Sequence, residues 1–153
     1  MNYEGHYLIL KRADYTRELC LTATESVMAL IQCGFWPLYK QTPCKNIVKS
    51  GEKVLIYLPG DEPDTQHVMG SFTIAKVTPW TTFHKRKYPL QLDAEPSVVL
   101  EMTDVEVFDL PVPIKPLLDK LDLTPTNRQK WGCVMVGGMR RITPNDYSLL
   151  SSM

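Results

Sequence analysis

Gly34-Phe35-Trp36-Pro37-Leu38-Tyr39 packs three aromatic residues into six positions. It stands between a helix-like segment ending in Gln32-Cys33 and the later apolar run Lys53-Val54-Leu55-Ile56-Tyr57-Leu58. A glycine followed by aromatics in that setting reads as a short strand. Phe35 and Trp36 are neighbours, and successive strand residues point to opposite faces, so their rings enter different environments. Two readings stand. Both rings are core aromatics, one on each face of a buried strand. Alternatively one ring fills the core and the other is half of a flat slot for a planar ligand.

The flanking elements follow from their spacing. Upstream, Thr22-Ala23-Thr24-Glu25 has the form of a capping box. Val27, Leu30 and Ile31 recur at helical spacing and Gly34 is a helix stop, which predicts a helix over roughly residues 23 to 32. Tyr7-Leu8-Ile9-Leu10 is a continuous apolar run and reads as a central strand. Downstream, Pro43 suits a first helical turn. Ile47 and Val48 would be the apolar face of a short helix whose other face is basic. Ser50-Gly51-Glu52 is a turn before the Lys53–Leu58 strand. Pro59 to Asp64 is a loop by composition.

Val68 to Val77 alternates with period two, Val68, Gly70, Phe72 and Ile74 on one side. Residues 78 to 96 hold three prolines and no clear period. They read as a long excursion of the kind that carries function. Val98 to Phe108 is another strand, and Pro111-Val112-Pro113 must be extended. Ile114, Leu117, Leu118 and Leu121 make a short amphipathic helix. Trp131-Gly132 opens a strand over Cys133 to Val136, broken by Gly137-Gly138. Thr143-Pro144-Asn145-Asp146 starts a terminal helix that carries Tyr147, Leu149 and Leu150.

The consecutive strands between residues 53 and 108 favour antiparallel pairing. The expected architecture is α+β: one domain over residues 1–153, with about six strands in a strongly curved sheet or small open barrel and short helices around it.

Composition narrows the function. The chain has 153 residues, 44% of them hydrophobic, enough for a core. Seventeen basic and seventeen acidic residues give a net charge of zero. The total therefore implies no strong non-specific attraction to nucleic acid. The charges are segregated, however: Lys40, Lys45, Lys49 and Lys53; then Lys85, Arg86 and Lys87; then Arg128, Lys130, Arg140 and Arg141. Cys20, Cys33, Cys44 and Cys133 form no CxxC pair and have no histidine at zinc-ligand spacing. With no signal peptide, they read as reduced thiols of a cytoplasmic protein. No apolar run is long enough to span a membrane. There is no GxSxG, P-loop or GxGxxG motif. His6, His67 and His84 are isolated, and Asp61 and Asp64 lack metal-ligand spacing. Nothing argues for an enzyme, a cofactor or a metal, and a monomer is expected.

Aromatics and arginines remain. A small barrel could bring Trp36, Trp80 and Trp131 together, and facing rings stack a flipped or single-stranded base at roughly 1–3 kcal/mol per base. Arg140 and Arg141 follow Gly137-Gly138, and guanidinium forks with glycine-exposed N–H groups suit phosphate. The plainer alternatives are core packing for each Trp and surface ion pairs for the arginines.

The order of the chain resembles the EVE domain, a member of the PUA-like superfamily related to the YTH domain. Gly34-Phe35-Trp36, a helix, then Gly51-Glu52-Lys53-Val54-Leu55-Ile56-Tyr57 looks like the family's aromatic strand, short helix and "GD-apolar-Tyr" strand, with Glu52 in place of the usual acid. Gly70-Ser71-Phe72-Thr73-Ile74-Ala75-Lys76-Val77 is similar to a second family strand. Pro113 to Leu121, Trp131-Gly132 and Gly138-Met139-Arg140-Arg141-Ile142-Thr143 with Asp146-Tyr147 are similar to the carboxyl-terminal signature. The resemblance covers essentially the whole chain, except that the Thr78–Pro96 loop does not align. It implies a PUA-like barrel and a non-catalytic reader of a modified base, a modified cytosine in DNA first of all, held in an aromatic pocket. Trp36 matches the pocket-wall Trp of the YTH pattern. Pro37 takes the next position, where its missing N–H rules out one backbone contact. Trp80 and Tyr88, from the loop that does not align, and Trp131, from the carboxyl-terminal signature, are the further pocket candidates, and Lys40, Lys45, Arg140 and Arg141 are the expected phosphate contacts. The alternatives are an RNA reader of the N6-methyladenosine type, or an enzyme or protein-interaction domain on the same barrel.

Overall fold

The computed structural model describes residues 5–12, 14–15, 20–60, 65–90, 92, 94–124 and 138–151. In chain order the elements are β1 (His6–Leu10), β2 (Asp14–Tyr15), β3 (Cys20–Leu21), α1 (Ala23–Cys33), β4 (Phe35–Leu38), β5 (Lys53–Leu58), β6 (His67–Pro79), α2 (Thr82–Lys87), β7 (Val98–Pro113), a 3₁₀ turn (Lys115–Leu117), β8 (Met139–Ile142) and α3 (Pro144–Ser151).

Six strands form one sheet in the order β4-β7-β6-β5-β1-β8, and β2 pairs with β3 separately. β5, β6 and β7 are antiparallel, as their succession in the chain predicts. β1 breaks that pattern. It lies parallel to β5 and antiparallel to β8, with Tyr7 opposite Val54 on one side and Arg141 on the other. The parallel pair is possible because α1 and β4 carry the chain across between β1 and β5. The sheet curls into a half-barrel with short helices around it, the α+β architecture expected from the sequence. Its curl has a local cause in three register shifts along β6 and β7, because bulges bend and over-twist the strands that carry them.

Local chemistry accounts for α1. The Glu25 N–H donates to Thr22 Oγ1 and the Thr22 N–H donates to Glu25 Oε1, both at 3.1 Å. Gly34 ends the helix at φ 87°, its N–H bonding the Leu30 carbonyl at 3.0 Å. A left-handed terminus of this kind favours glycine.

The two faces of the sheet bury separate cores. On one face Tyr7, Ile9, Val54, Ile56, Phe72, Ile74 and Met139 pack with Val27 and Leu30 of α1. On the other, Leu8, Leu55, Tyr57, Val68 and Ile142 pack under Ile114, Leu118, Leu121, Leu123 and Leu150. The alternation within β1 and β5 is the period-two pattern expected of strands buried on both sides.

The structure differs from the sequence reading in four places. Val68 does not share a face with Phe72 and Ile74, because a register shift lies between Val68 and Gly70. Residues 43–47 form turns instead of a helix, so Val48 is buried while Ile47 is 45% exposed. The stretch after Pro113 winds only into a 3₁₀ turn and further turns, with Pro116 inside that turn. Met139–Ile142 is a strand, where the sequence reading placed no element between Gly137-Gly138 and Thr143. The strand expected over Cys133 to Val136 lies outside the described residues, as does Trp131.

Candidate nucleic-acid interface

β4 lies at the edge of the sheet and pairs with β7, Phe35 opposite Glu101 and Trp36 opposite Leu100. Pro37 is buried opposite Val99. A residue with no N–H is tolerated in an edge strand, where one side of the ladder has no partner. Alternation does send Phe35 and Trp36 to different places, and both rings are buried, each 4% exposed, as the reading of two core aromatics expects. Trp36 belongs to the α1-side core, 4% exposed, and stacks on Phe72 with ring centroids 6.2 Å apart and planes 22° apart. Phe35 meets Trp80 edge-on at 6.2 Å and His84 edge-on at 5.0 Å. The ring expected beside Trp80 was Trp36; the ring found there is Phe35.

The Thr78–Pro96 excursion folds partly into α2. The Thr81 N–H donates to His84 Nδ1 at 3.0 Å, which settles the first turn, and the Tyr88 N–H bonds the His84 carbonyl at 2.9 Å. His84 and Tyr88, four apart, turn inward on one helix face. His84 stacks on Trp80 at 5.7 Å, and Tyr88 meets Trp80 edge-on at 5.9 Å. Tyr88 also packs against the core cluster that contains Trp36, so it joins the two sides. Trp80, His84 and Tyr88 are each only part-buried. The adjoining helix face carries Phe83, 59% exposed, with Lys87 Nζ 5.3 Å above its ring. Lys85, Arg86 and Lys87 are all exposed. The result is a set of rings with part-open surfaces beside three consecutive cations. Sequence reasoning named Trp80 and Tyr88 and weighed Phe35 beside Trp36, but gave Phe83 and His84 no part in the site. The available signal was the clustering of aromatic and basic residues between Trp80 and Tyr88.

A second group forms where β1, β5 and β8 begin or end. Glu52 is a buried carboxylate. It accepts from the Gly5 N–H at 2.6 Å, from the Lys49 N–H at 2.5 Å and from the Tyr7 hydroxyl at 3.1 Å. Burial first, then the Glu52 charge, pushes the Tyr7 phenol up to about 12. Burial likewise raises the Cys44 thiol, opposed by a hydrogen bond with the Arg141 backbone and the Arg141 charge. This places Arg141 beside the loop that carries Lys45. Lys40 and Arg141 are exposed.

Arg140 and Arg141 do not act from one face, because strand neighbours diverge. Arg141 stands opposite Tyr7, on the Met139 side. Arg140 faces the other way, where its charge lowers the Asp146 carboxyl against the larger upward effect of burial. Asp146 is a structural acceptor, taking the N–H groups of Asp122 at 2.6 Å and Leu123 at 2.9 Å. Among the described residues no three His, Cys, Asp or Glu side chains are placed to hold a metal ion, and no helix is long and apolar enough to cross a membrane.

No protein-family model matches the chain, and no curated protein does. Solved structures do. The N-terminal domain of McrB from Staphylothermus marinus superposes with a TM-score of 0.59 at 10% identity, over 97% of this chain and 94% of that one. Human THYN1, in complex with DNA containing 5-methylcytosine, superposes with a TM-score of 0.59 at 12% identity, over 95% and 94%. Atu2648 from Agrobacterium tumefaciens superposes with a TM-score of 0.53 at 14% identity, over 94% and 88%. The likeness spans nearly the whole of each chain and shows a common PUA-like fold.

Proposed function

We propose that the protein is a non-catalytic module that binds DNA and reads a modified cytosine. The observation that carries this reading is the whole-chain likeness to a protein whose structure holds 5-methylcytosine DNA. The aromatic and basic surface around α2 supports it independently. Nucleic-acid sites combine rings on which bases stack with cations that neutralise phosphates.

In this reading the base rests against Trp80 and Tyr88, whose rings are part-open, with Phe35 and His84 fixing their positions. Trp36 and Pro37 set the shape of the edge strand from behind. Lys40, Lys45 and Arg141 supply phosphate contacts on the loop side. The test is a fluorescence-anisotropy titration of the whole chain. Its probes are DNA duplexes with cytosine or 5-methylcytosine at one position, and matched RNA with adenosine or N6-methyladenosine. Tighter binding to methylated DNA than to any other probe is the expected result. Tighter binding to methylated RNA would move the reading to the RNA class. Equal binding to every probe would remove it.

A further inference from the structure

We propose that α2 is the element that parts the DNA duplex around an extruded base, with Phe83 as the wedge and Lys85, Arg86 and Lys87 as the clamp on the flanking phosphates. This rests on the reading above and assigns it a mechanical part. A base inside a duplex cannot reach a pocket; it must leave the stack, and the protein must offset the lost stacking and pairing. Proteins that open a base step do so with an apolar side chain inserted into the stack and cations on the adjacent backbone.

The structure supplies both on one short helix. Phe83 is among the most exposed large apolar side chains of the described residues, at 59%. A single exposed ring is ordinary on a protein surface. This one differs in its surroundings. The sequence from Thr78 to Leu90 contains no acidic residue and three consecutive cations. Lys87 sits over the Phe83 ring at 5.3 Å, which holds a charge beside the ring where a phosphate would flank an inserted wedge.

The support is stiff, as a wedge requires. On the inner side of α2, His84 touches Phe35 at 5.0 Å and Trp80 at 5.7 Å. Phe35 is anchored in the sheet through β4. Phe83 itself leans edge-on against His84 at 5.7 Å. Force on the exposed ring is thus passed to rings packed on the sheet. The same contacts place the wedge next to Trp80, where the extruded base is read.

The test compares the wild-type chain with Phe83→Ala, a substitution at an exposed position that leaves the cores intact. The probes are a 5-methylcytosine duplex, its unmethylated counterpart, the methylated single strand, and the methylated duplex with a mismatched base opposite the mark. The single strand and the mismatch need little or no opening, so they bypass the wedge. Phe83→Ala is expected to weaken the matched methylated duplex about tenfold, a loss of the order of one stacked base. It should leave the single strand within about twofold, and the mismatch should recover most of the loss. A 2-aminopurine beside the mark should brighten with wild type and not with the variant. Replacing Lys85, Arg86 and Lys87 together with serine should lower the slope of log affinity against log salt by about 2.7, or 0.9 per phosphate contact. Equal loss on single strand and matched duplex, or no loss on either, overturns the wedge while wild-type discrimination keeps the reader. An unchanged salt slope overturns the clamp. A wild-type protein that binds methylated and unmethylated duplexes alike overturns the reader and the wedge together.

Discussion

Trp36→Ala is expected to unfold the protein more than it weakens ligand binding. Trp36 is 4% exposed and lies flat against Phe72 across the α1-side core. A buried Trp removes about 150–250 Å² from water. At about 25 cal/mol per Å², that is on the order of 4–6 kcal/mol of transfer free energy. Measured truncations of buried aromatics cost about 3–5 kcal/mol, because the cavity relaxes in part. The loss is a large share of a domain's usual stability of about 5–15 kcal/mol. Urea unfolding followed by circular dichroism would show a lower midpoint with the slope against denaturant unchanged. Trp80→Ala is the partner measurement. That ring is part-exposed, so its truncation should cost about 1–3 kcal/mol in affinity for a methylated oligonucleotide and much less in folding. A Trp36→Ala protein as stable as wild type but unable to bind would refute this. It would return the base-stacking role to Trp36, where the resemblance had put it.

Three further outcomes follow from geometry. Gly70→Ala would drive a Cβ into the Glu106 backbone carbonyl of the neighbouring strand, so β6 and β7 must part; a loss of about 1–3 kcal/mol is expected by chemical unfolding. Glu52→Gln would set an amide donor against the N–H of Gly5 or Lys49, costing about 1–3 kcal/mol; an unchanged urea midpoint would show that the carboxylate's acceptor bonds are dispensable. Tyr7, held near 12 in the fold against 10.0 ordinarily, keeps its proton longer folded than unfolded. Stability is therefore full below pH 10.0 and falls as pH climbs towards about 12; urea midpoints across that range should drop for wild type and drop less for Tyr7→Phe.

Elements with strong local codes were legible in the sequence. The Thr22-Glu25 box and Gly34 bound α1 to within a residue, and the Lys53–Leu58 run matched β5 in full. Met139–Ile142 was not legible. Its two arginines look like surface, and it is a strand only because β1 offers an unpaired edge. The α2 helix has no apolar period to read, since its inner face is a histidine and a tyrosine packed on rings from elsewhere. The candidate site divided in the same way. That Phe35 and Trp36 diverge follows from strand geometry alone. Both are buried, and which neighbours each ring meets depends on where α1 packs and how β4 registers with β7, neither of which is encoded near residue 35. The resemblance supplied the fold but not the orientation of one ring.

The position of β1 sets the order in which the chain can be completed. This strand lies between β5 and β8, so one of its partners begins at Lys53 and the other at Met139. During synthesis β5, β6 and β7 can zip locally as neighbours, whereas β1 waits for a closure that depends on residues far later in the chain. Until then Tyr7, Leu8 and Ile9, all fully buried in the finished protein, present one unpaired strand edge. Such an edge invites pairing with another chain. A chain stalled or cut before Met139 should therefore be lost to aggregation rather than accumulate as a weakened but soluble binder.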